Sequence, residues 1–331
     1  MTDPRDSDSA FGVLDFLAWD NEKFGNHYNP QEIERSIALM QEAGVAFIRM
    51  DFLWEDIEPQ GGRFQFAKYD GIVNQLIQHD IRVEGILAYT PPWSGKAWNH
   101  APELVSYCRY ARAVVDHFKD RVRHWEIWHE PDNPDFWQPQ DNMRAYVQLL
   151  KSIYPLLKAV DPTCLIHLGG MSRSLPMSLK NVYQEGGREF FDVFNFHPFT
   201  NPLIPGAFEA VRHLHKIIFR IMTEYGDREK PIWFTEIGCP GMQDPHSSKN
   251  WWLGANPDEQ AQAGWVRTIY NQALQLDNVQ KIFWCFFRDT TNHFKCGSDY
   301  DGLIRHDFSK KPSFEAYREL AAQPLSSKPL T

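Results

Sequence analysis

Eight short apolar runs alternate with segments of helical periodicity along this chain, and this order limits the possible folds more than any other feature. The runs are apolar throughout, which is typical of parallel strands whose two faces are both buried. The predicted strands are Phe11–Phe16, Val45–Phe52, Arg82–Tyr89, Val122–Trp128, Cys164–Gly169, Val193–Phe199, Pro231–Ile237 and Lys281–Phe287. The predicted helices are Pro30–Ala43, Ala67–His79, Pro102–Phe118, Asn142–Val160, Met177–Glu185, Ala207–Tyr225, Asp258–Leu276 and Pro312–Ala321.

Eight strand–helix units in a chain of 331 residues favour a (β/α)8 barrel over a doubly wound open sheet, which usually contains fewer strands. Between Ala10 and Gln323 there is no linker, charge run or low-complexity segment. We therefore expect a single α/β domain, a TIM barrel over residues 10–323, with polar tails at residues 1–9 and 324–331.

The composition argues against several classes of protein. A net charge of -9 without a basic run argues against a nucleic-acid partner, and no window is apolar for the 18 or so residues of a membrane span. The segment Met1–Ser9 lacks the basic and apolar regions of a signal peptide, which favours the cytoplasm, although removal of a leader from a secreted protein would leave the same pattern. The five cysteines have no CxxC spacing, which indicates buried thiols: Cys108, Cys164, Cys239, Cys285 and Cys296.

Two of the predicted strands run into a glutamate and then break, at Glu130-Pro131 after strand four and at Glu236 just before Gly238 after strand seven. An ionisable side chain at the end of a buried strand is costly unless it is paired or used in chemistry. Because active sites of such barrels lie at the carboxyl ends of the strands, both glutamates would share one face. Two carboxylates that face one substrate are what glycoside hydrolysis requires, whereas two structural salt bridges are the alternative.

Aromatic residues make up 14% of the chain, and 12 of them are tryptophans. Flat apolar rings with polar neighbours suit sugars, whose CH faces stack on the ring while their hydroxyls form hydrogen bonds. The pattern predicts a carbohydrate cleft, with ordinary packing as the alternative for any single ring. Seven tryptophans lie in segments that follow predicted strands: Trp19, Trp54, Trp93, Trp98, Trp137, Trp251 and Trp252.

Around the two glutamates the chain resembles glycoside hydrolase clan A, whose members carry an acid/base Glu after strand four, in Trp-x-x-x-Asn-Glu-Pro, and a nucleophile Glu at the end of strand seven. It is most similar to the family of β-xylosidases, α-iduronidases and exopolysaccharide hydrolases, with the cellulase-type family second. The resemblance implies a retaining hydrolase of β-linked oligo- or polysaccharides that needs no cofactor, with Glu130 as acid/base and Glu236 as nucleophile. It continues at residues 47–52, 90–93, 196–198, 282–284, 301–304 and 311–317.

The resemblance also implies a set of substrate-binding residues and no metal ligands. Arg49 would contact Glu236 and lower its pKa, while the surroundings of Glu130 would raise the pKa of that carboxyl toward neutrality. For His197 and Tyr89, tuning of the pair and ordinary core hydrogen bonding are both open. The implied binding residues are Arg49, Trp54, Tyr89, Trp93, His129, Trp137, His197 and Trp284, the last as the floor of the cleaved subsite.

One residue departs from the clan pattern, because His129 stands where the clan has Asn beside the acid/base. In the clan that Asn binds the 2-hydroxyl of the sugar. The histidine would either reflect specificity for a sugar with an axial 2-hydroxyl, as in certain mannan-cleaving members of the clan, or be a neutral substitution that supplies another hydrogen-bond donor.

Three other functions are alternatives to a glycosidase. A metal hydrolase built on His124, His129 and Glu130 is disfavoured, since the spacing is not His-Glu-x-x-His and the segment is predicted to be a strand. A non-catalytic carbohydrate-binding barrel and a transglycosylase with the same site both stay open. The sequence fixes neither the sugar, the linkage, the mode of cleavage along a polysaccharide nor the oligomeric state.

Overall fold

A computed structural model of the chain describes residues 3–21, 25–26, 28–141, 143–172, 175–247, 249, 255–291 and 293–323. Eight strands form the barrel: β1 (Phe11–Leu14), β2 (Phe47–Leu53), β3 (Arg82–Ala88), β4 (His124–Ile127), β5 (Leu165–Leu168), β6 (Phe194–Phe196), β7 (Ile232–Ile237) and β8 (Val279–Cys285). They pair in parallel, in the order β5-β4-β3-β2-β1-β8-β7-β6. Hydrogen bonds from Leu168 N to Val193 O (3.0 Å) and from His197 N to Met171 O (2.9 Å) join the two outer strands and close the barrel.

Helices follow the strands and cover the outside of the barrel. Local signals define their ends: the side chain of Asn29 accepts hydrogen bonds from two backbone N–H groups at the start of α1, and Gly44 ends that helix with a φ of 78°. None of the described helices is both long enough and apolar enough to span a bilayer. They are α1 (Pro30–Ala43), α2 (Trp54–Ile57), α3 (Ala67–Gln78), α4 (Leu104–Phe118), α5 (Arg144–Val160), α6 (Met177–Gln184), α7 (Ala207–Glu224), α8 (Glu259–Ala273) and α9 (Pro312–Ala321).

The predicted (β/α)8 barrel is confirmed, and the helices α1 and α9 have the predicted bounds. Six of the eight predicted strands run too far toward their carboxyl ends: strand six, for example, ends at Phe196 rather than Phe199, whereas strand seven ends at Ile237 as predicted. The reason is that apolar and aromatic residues continue past the last ladder hydrogen bond into the loops of the functional face. The short helix α2 and the hairpin of Asp20–Asn21 with Gly25–Asn26 were not predicted.

Alternation along β2 decides which side chains enter the barrel. Phe52 points outward, where it stacks on Tyr69 of α3 with a ring-centroid distance of 5.0 Å. Since successive residues of a strand point to opposite faces, Phe47, Arg49 and Asp51 point inward at three successive levels. The sequence of β2 therefore places a cation in the middle of the barrel and a carboxylate at its mouth.

The lower half of the barrel contains a buried chain of ionisable groups. Glu84 Oε1 lies 2.9 Å from His167 Nδ1, and the Nε2 atom of His167 lies 3.0 Å from His124 Nδ1. His124 Nε2 in turn lies 3.4 Å from Asp6 Oδ1. Burial is the main cause that lowers the pKa of His124 to about 4, so this imidazole is neutral at ordinary pH.

The segment of residues 3–9 packs across the bottom of the barrel. Arg5 Nη1 lies 2.6 Å from Asp161 Oδ2, and its Nη2 donates to Thr163 Oγ1 at 2.5 Å. From inside the barrel, Lys281 Nζ donates to Ser7 O at 2.5 Å. The polar segment thus covers the lower end of the buried chain of ionisable groups.

We expect Arg5→Ala to lower the free energy of unfolding by about 1–2 kcal/mol, because its partly buried hydrogen bonds hold residues 3–9 in place. Urea denaturation followed by circular dichroism measures the change. Arg318→Ala is the matched control, since Arg318 is exposed and pairs with Glu315 within one helix. Equal effects of the two substitutions would show that Arg5 does not hold the segment.

Candidate active site

A cavity of about 370 Å³ opens at the carboxyl ends of the strands. This is the face on which barrels of this type carry their active sites. Strands β1, β2, β3 and β7 and the loops after β1, β3, β4 and β8 contribute side chains to it. Its ionisable and hydroxyl-bearing lining residues are Arg49, Asp51, Tyr89, His129, Glu130, Asp135, Glu236 and His293.

Arg49 joins the buried Glu126 of β4 to the partly buried Glu236 of β7. Its Nη1 donates to Glu236 Oε1 at 2.7 Å, while Nε and Nη2 donate to the two oxygens of Glu126 at 2.7 and 2.8 Å. Glu126 also accepts a hydrogen bond of 2.8 Å from the backbone N–H of Gly170. The side chains of Arg49 and Glu126 are fully buried, so this fork–fork pair fixes the guanidinium against Glu236.

Glu130 lies just beyond the end of β4, where the backbone turns sharply. Trp128 and Glu130 have positive φ angles of 66° and 42°, which are unfavourable for residues with a side chain and persist where the surrounding structure enforces them. Asn133 Nδ2 donates to Glu130 Oε2 at 2.6 Å, and His197 Nδ1 donates to Glu130 Oε1 at 2.7 Å. Two uncharged donors therefore hold this carboxyl group.

His197 links the two carboxyl groups. The Nδ1 atom that donates to Glu130 lies 3.7 Å from Glu236 Oε2, and Nε2 lies 3.2 Å from Thr235 Oγ1. Burial, the largest influence, lowers the pKa of His197, which favours the neutral ring with its proton on Nδ1. Gly170 leaves room for this ring, because a Cβ atom there would lie 2.2 Å from His197 Nε2.

His129 is fixed by Arg49. Its Nδ1 lies 3.1 Å from Arg49 Nη2, and since a guanidinium can only donate, Nδ1 is the acceptor. Burial first, and then the positive charge of Arg49 and the neighbouring ring of His197, lower the pKa of His129 well below its ordinary value. The ring is therefore neutral with its proton on Nε2, and it packs edge-on against Phe136 with 4.5 Å between ring centroids.

The pKa of Glu236 differs from the expectation drawn from the sequence. Burial is the largest influence and raises this pKa, while His197 and Arg49 act in the opposite direction and Glu130 raises it further. The expected net lowering is wrong because it took account of the arginine but not of the enclosure of the carboxyl group.

Several aromatic residues predicted to bind substrate lie away from the cavity. Trp284 is fully buried and donates from Nε1 to Asp301 O at 2.9 Å; its neighbour Phe283 stacks on Trp233 inside the barrel, so Trp284 points to the outer face. The expected floor of the cleaved subsite is therefore wrong. Three more rings are not among the described lining residues: Trp54 stacks on Tyr110, Trp137 packs on Trp128, and Trp93 donates to Glu58 O.

Other aromatic residues form the cavity walls. Tyr89, a predicted residue, packs against Trp98 with 5.1 Å between ring centroids. Across the cavity, Phe286 and Phe294 stack at 5.2 Å. Trp251 and Trp252 lie outside the described residues. Sequence reasoning singled out Trp19 and Trp98 among the loop tryptophans but missed the following lining rings: Phe16, Phe136, Phe286 and Phe294.

The cluster of His129, His197 and Glu236 places three possible metal-ligand atoms within 4.8 Å of one another. The guanidinium of Arg49 already contacts both His129 and Glu236, and its positive charge would oppose a metal ion at that point. The alternative metal ligand set considered from the sequence does not assemble, because His124 lies at the bottom of the barrel beside His167.

The known proteins to which this chain is similar include several glycosidases. The family model for glycoside hydrolase family 42, described as beta-galactosidase, matches residues 24–106. Beta-galactosidase BgaB of Geobacillus sp. (strain Y412MC61) is 27% identical to the chain, over 32% of the chain and 20% of its own length. Beta-galactosidase BbgII of Bifidobacterium bifidum is 26% identical, over 42% of the chain and 25% of its own length. The chain thus spans about a fifth to a quarter of these curated relatives.

Among solved structures, a family 39 glycoside hydrolase from Bacteroides cellulosilyticus WH2 superposes with a TM-score of 0.75 and 22% identity, covering 97% of this chain and 64% of that one. Xylanase 10B of Thermotoga maritima superposes with a TM-score of 0.68 and 16% identity, over 95% of both chains. The beta-glucuronidase of Parabacteroides merdae superposes with a TM-score of 0.63 and 15% identity, covering 96% of this chain and 37% of that one. The chain shares its barrel fold with these glycosidases.

We expect His129 to remain neutral, with its proton on Nε2, from pH 5 to pH 8, because Arg49 donates to Nδ1 and burial opposes protonation. Nitrogen-15 NMR of histidine-labelled protein measures the tautomer and charge, and His129→Asn assigns the resonance. A titration with a midpoint near the ordinary value of about 6.5 would contradict this state.

Proposed function

We propose that this chain is a retaining glycoside hydrolase that cleaves β-linked oligo- or polysaccharides, with Glu236 as nucleophile and Glu130 as acid/base. The observation that carries the proposal is the arrangement around His197 Nδ1. Glu130 Oε1 lies 2.7 Å from this atom and Glu236 Oε2 lies 3.7 Å from it, and both carboxyl groups line one cavity.

The contacts of the two glutamates support different roles. Glu236 has an ion pair with Arg49, which stabilises the ionised form that attacks the anomeric carbon. Glu130 accepts hydrogen bonds from the amide of Asn133 and the ring of His197, which keep its carboxyl group in place while it releases and regains a proton. Like charges on neighbouring carboxyl groups also favour a state in which one is ionised and the other protonated.

The reaction would proceed in two displacements. Glu130 gives its proton to the glycosidic oxygen as that bond to the anomeric carbon breaks, while an oxygen of Glu236 forms an ester with the same carbon. Glu130, now ionised, then removes a proton from water, whose oxygen attacks the anomeric carbon and releases Glu236 as a carboxylate. Two inversions give net retention.

The spacing of the carboxyl groups supports retention over inversion. One oxygen of each carboxyl group lies near the same nitrogen atom, at 2.7 and 3.7 Å, so the two groups are close neighbours, as in retaining enzymes, where they are about 5–5.5 Å apart. Such a spacing leaves little room for a water molecule between Glu236 and the anomeric carbon. The nucleophile would then be the carboxylate itself.

His129 is the proposed partner of the 2-hydroxyl. Its Nδ1 is occupied by Arg49, which leaves Nε2–H as the donor toward the cavity that His129 lines. An uncharged N–H donor can take the place of the amide in the clan pattern. This supports a substitution that leaves the specificity unchanged, and the same donor could also bind an axial 2-hydroxyl. Arg49, Tyr89 and His197 complete the proposed polar contacts around the reacting carbon.

Of the two alternatives, the non-catalytic barrel leaves features of the site without a role. A non-catalytic binding barrel has no need of Glu130 in a strained conformation with a positive φ, or of a buried arginine that contacts Glu236. Transfer of the glycosyl group to a sugar hydroxyl would use the same residues and differ only in the attacking molecule.

Glu236→Gln should abolish hydrolysis, by about 10³-fold or more, of every aryl β-glycoside that the wild type cleaves. Glu130→Gln should cost about 10²- to 10⁴-fold on poor leaving groups but much less on dinitrophenyl glycosides, because these depart without a proton. Steady-state kinetics on the two leaving-group classes measure the difference.

Glu259→Gln is the control for the charge change, since Glu259 pairs with Arg305 and lies outside the cavity lining. Full activity of Glu236→Gln, or equal losses of Glu130→Gln on both leaving groups, would refute the assigned roles.

A further inference from the structure

Asp51 is a carboxylate at the mouth of the barrel that the two-glutamate chemistry does not use. It stands two residues after Arg49 on the inward face of β2 and lines the cavity with Tyr89 and Trp19. It is 7% exposed, and its Oδ2 accepts a hydrogen bond of 2.7 Å from Trp19 Nε1. Burial is the main cause that raises the pKa of Asp51 to about 6, against the charge of Arg49.

The hydrogen bonding of Asp51 is incomplete. A carboxylate offers about four acceptor positions, and buried carboxylates normally fill several of them. Within the described part of the chain, Oδ1 of Asp51 has no hydrogen-bond donor. The neighbouring guanidinium directs its hydrogen bonds to Glu126, Glu236 and His129 instead. This oxygen belongs to a residue of the cavity wall, where the hydroxyl groups of a bound sugar would lie.

We propose that Asp51 accepts a hydrogen bond from a hydroxyl of the glycone and thereby selects uncharged sugars over uronic acids. The proposal rests on the proposed glycosidase function and specifies its substrate class. A hydroxyl can donate to a carboxylate, whereas the carboxylate of a uronic acid can only repel it. Asp135 at the rim and Glu236 below add negative charge to the same cavity.

Trp19 positions this carboxylate. Its indole N–H fixes Asp51, and its ring packs against Phe16 at 5.0 Å and His293 at 5.7 Å. An acceptor held in one orientation loses little entropy when substrate binds. The fold itself does not decide the charge of the sugar, because it also occurs in the beta-glucuronidase compared above.

The test uses the full chain and p-nitrophenyl β-D-xyloside, β-D-glucoside, β-D-galactoside and β-D-glucuronide. The wild type should turn over its best neutral substrate at least about 100-fold more efficiently than the glucuronide. Asp51→Asn should lower kcat/KM on that substrate about 10- to 100-fold, chiefly through KM, because the contact is made before and during reaction. Its preference for glucoside over glucuronide should fall.

Asp15→Asn is the matched control. Asp15 directly follows the neighbouring strand β1, is 8% exposed and also has a pKa raised to about 6, chiefly by burial. It lies in a separate small cleft with Glu32 and Arg288. This variant should keep kcat/KM within about threefold of the wild type. Thermal melting of both variants measures any general loss of folding.

Each outcome decides the proposal. Equal losses in the two variants, an unchanged KM in Asp51→Asn, or a wild type that prefers the glucuronide would overturn the role of Asp51 while leaving the glycosidase intact. If no glycoside is turned over, the proposed function fails. Calorimetric titration of wild type and Asp51→Asn with D-glucose and D-glucuronate then still tests the inference, which requires weaker glucose binding in the variant.

Discussion

The guanidinium of Arg49 makes the contacts that organise the active-site face. It is fully buried, and it is held by a bidentate pair with Glu126 while it contacts Glu236 and His129. An unpaired charge in this position would cost several kcal/mol, and removal of one partner of a buried pair typically destabilises a protein by about 3–5 kcal/mol. The arginine and the two glutamates therefore stabilise one another, and the orientation of the proposed nucleophile depends on this network.

The same network sets the protonation states of its neighbours. Because Arg49 donates to His129, that ring presents an N–H group rather than an acceptor on its other side. His197 receives its orientation from Thr235 and donates to Glu130. Both histidines at the site thus have fixed donor and acceptor roles before substrate arrives, which is the condition for electrostatic preorganisation.

The sequence was sufficient to predict the barrel, most helix bounds and the strand ends that carry the two glutamates, because long periodic segments and breaks at Pro and Gly are local signals. The direction of a side chain at a strand end is not local. The sequence does not tell which of Trp284 and Phe286 faces the cavity, because a shift of one residue at the carboxyl end of β8 exchanges inward and outward positions.

Other residues were missed because their role comes from partners far apart in the chain. Glu126 is one of two glutamates in the same apolar run, and a second buried acid could have signalled the need for a cation. Asp51 carries a weaker signal, an acid two positions after a strand arginine. Asn133 donates a hydrogen bond to Glu130 from a loop whose path the sequence does not specify.

The most direct test of the account is to trap the reaction halfway. A dinitrophenyl 2-deoxy-2-fluoro-β-glycoside of the preferred sugar slows both steps but allows the first to run with its good leaving group, so an ester on the enzyme accumulates. We predict inactivation with the mass of one fluoroglycosyl group per chain, carried by the proteolytic peptide that contains Glu236. A label on the Glu130 peptide, or hydrolysis of the reagent without any labelled enzyme, would contradict a covalent intermediate on Glu236.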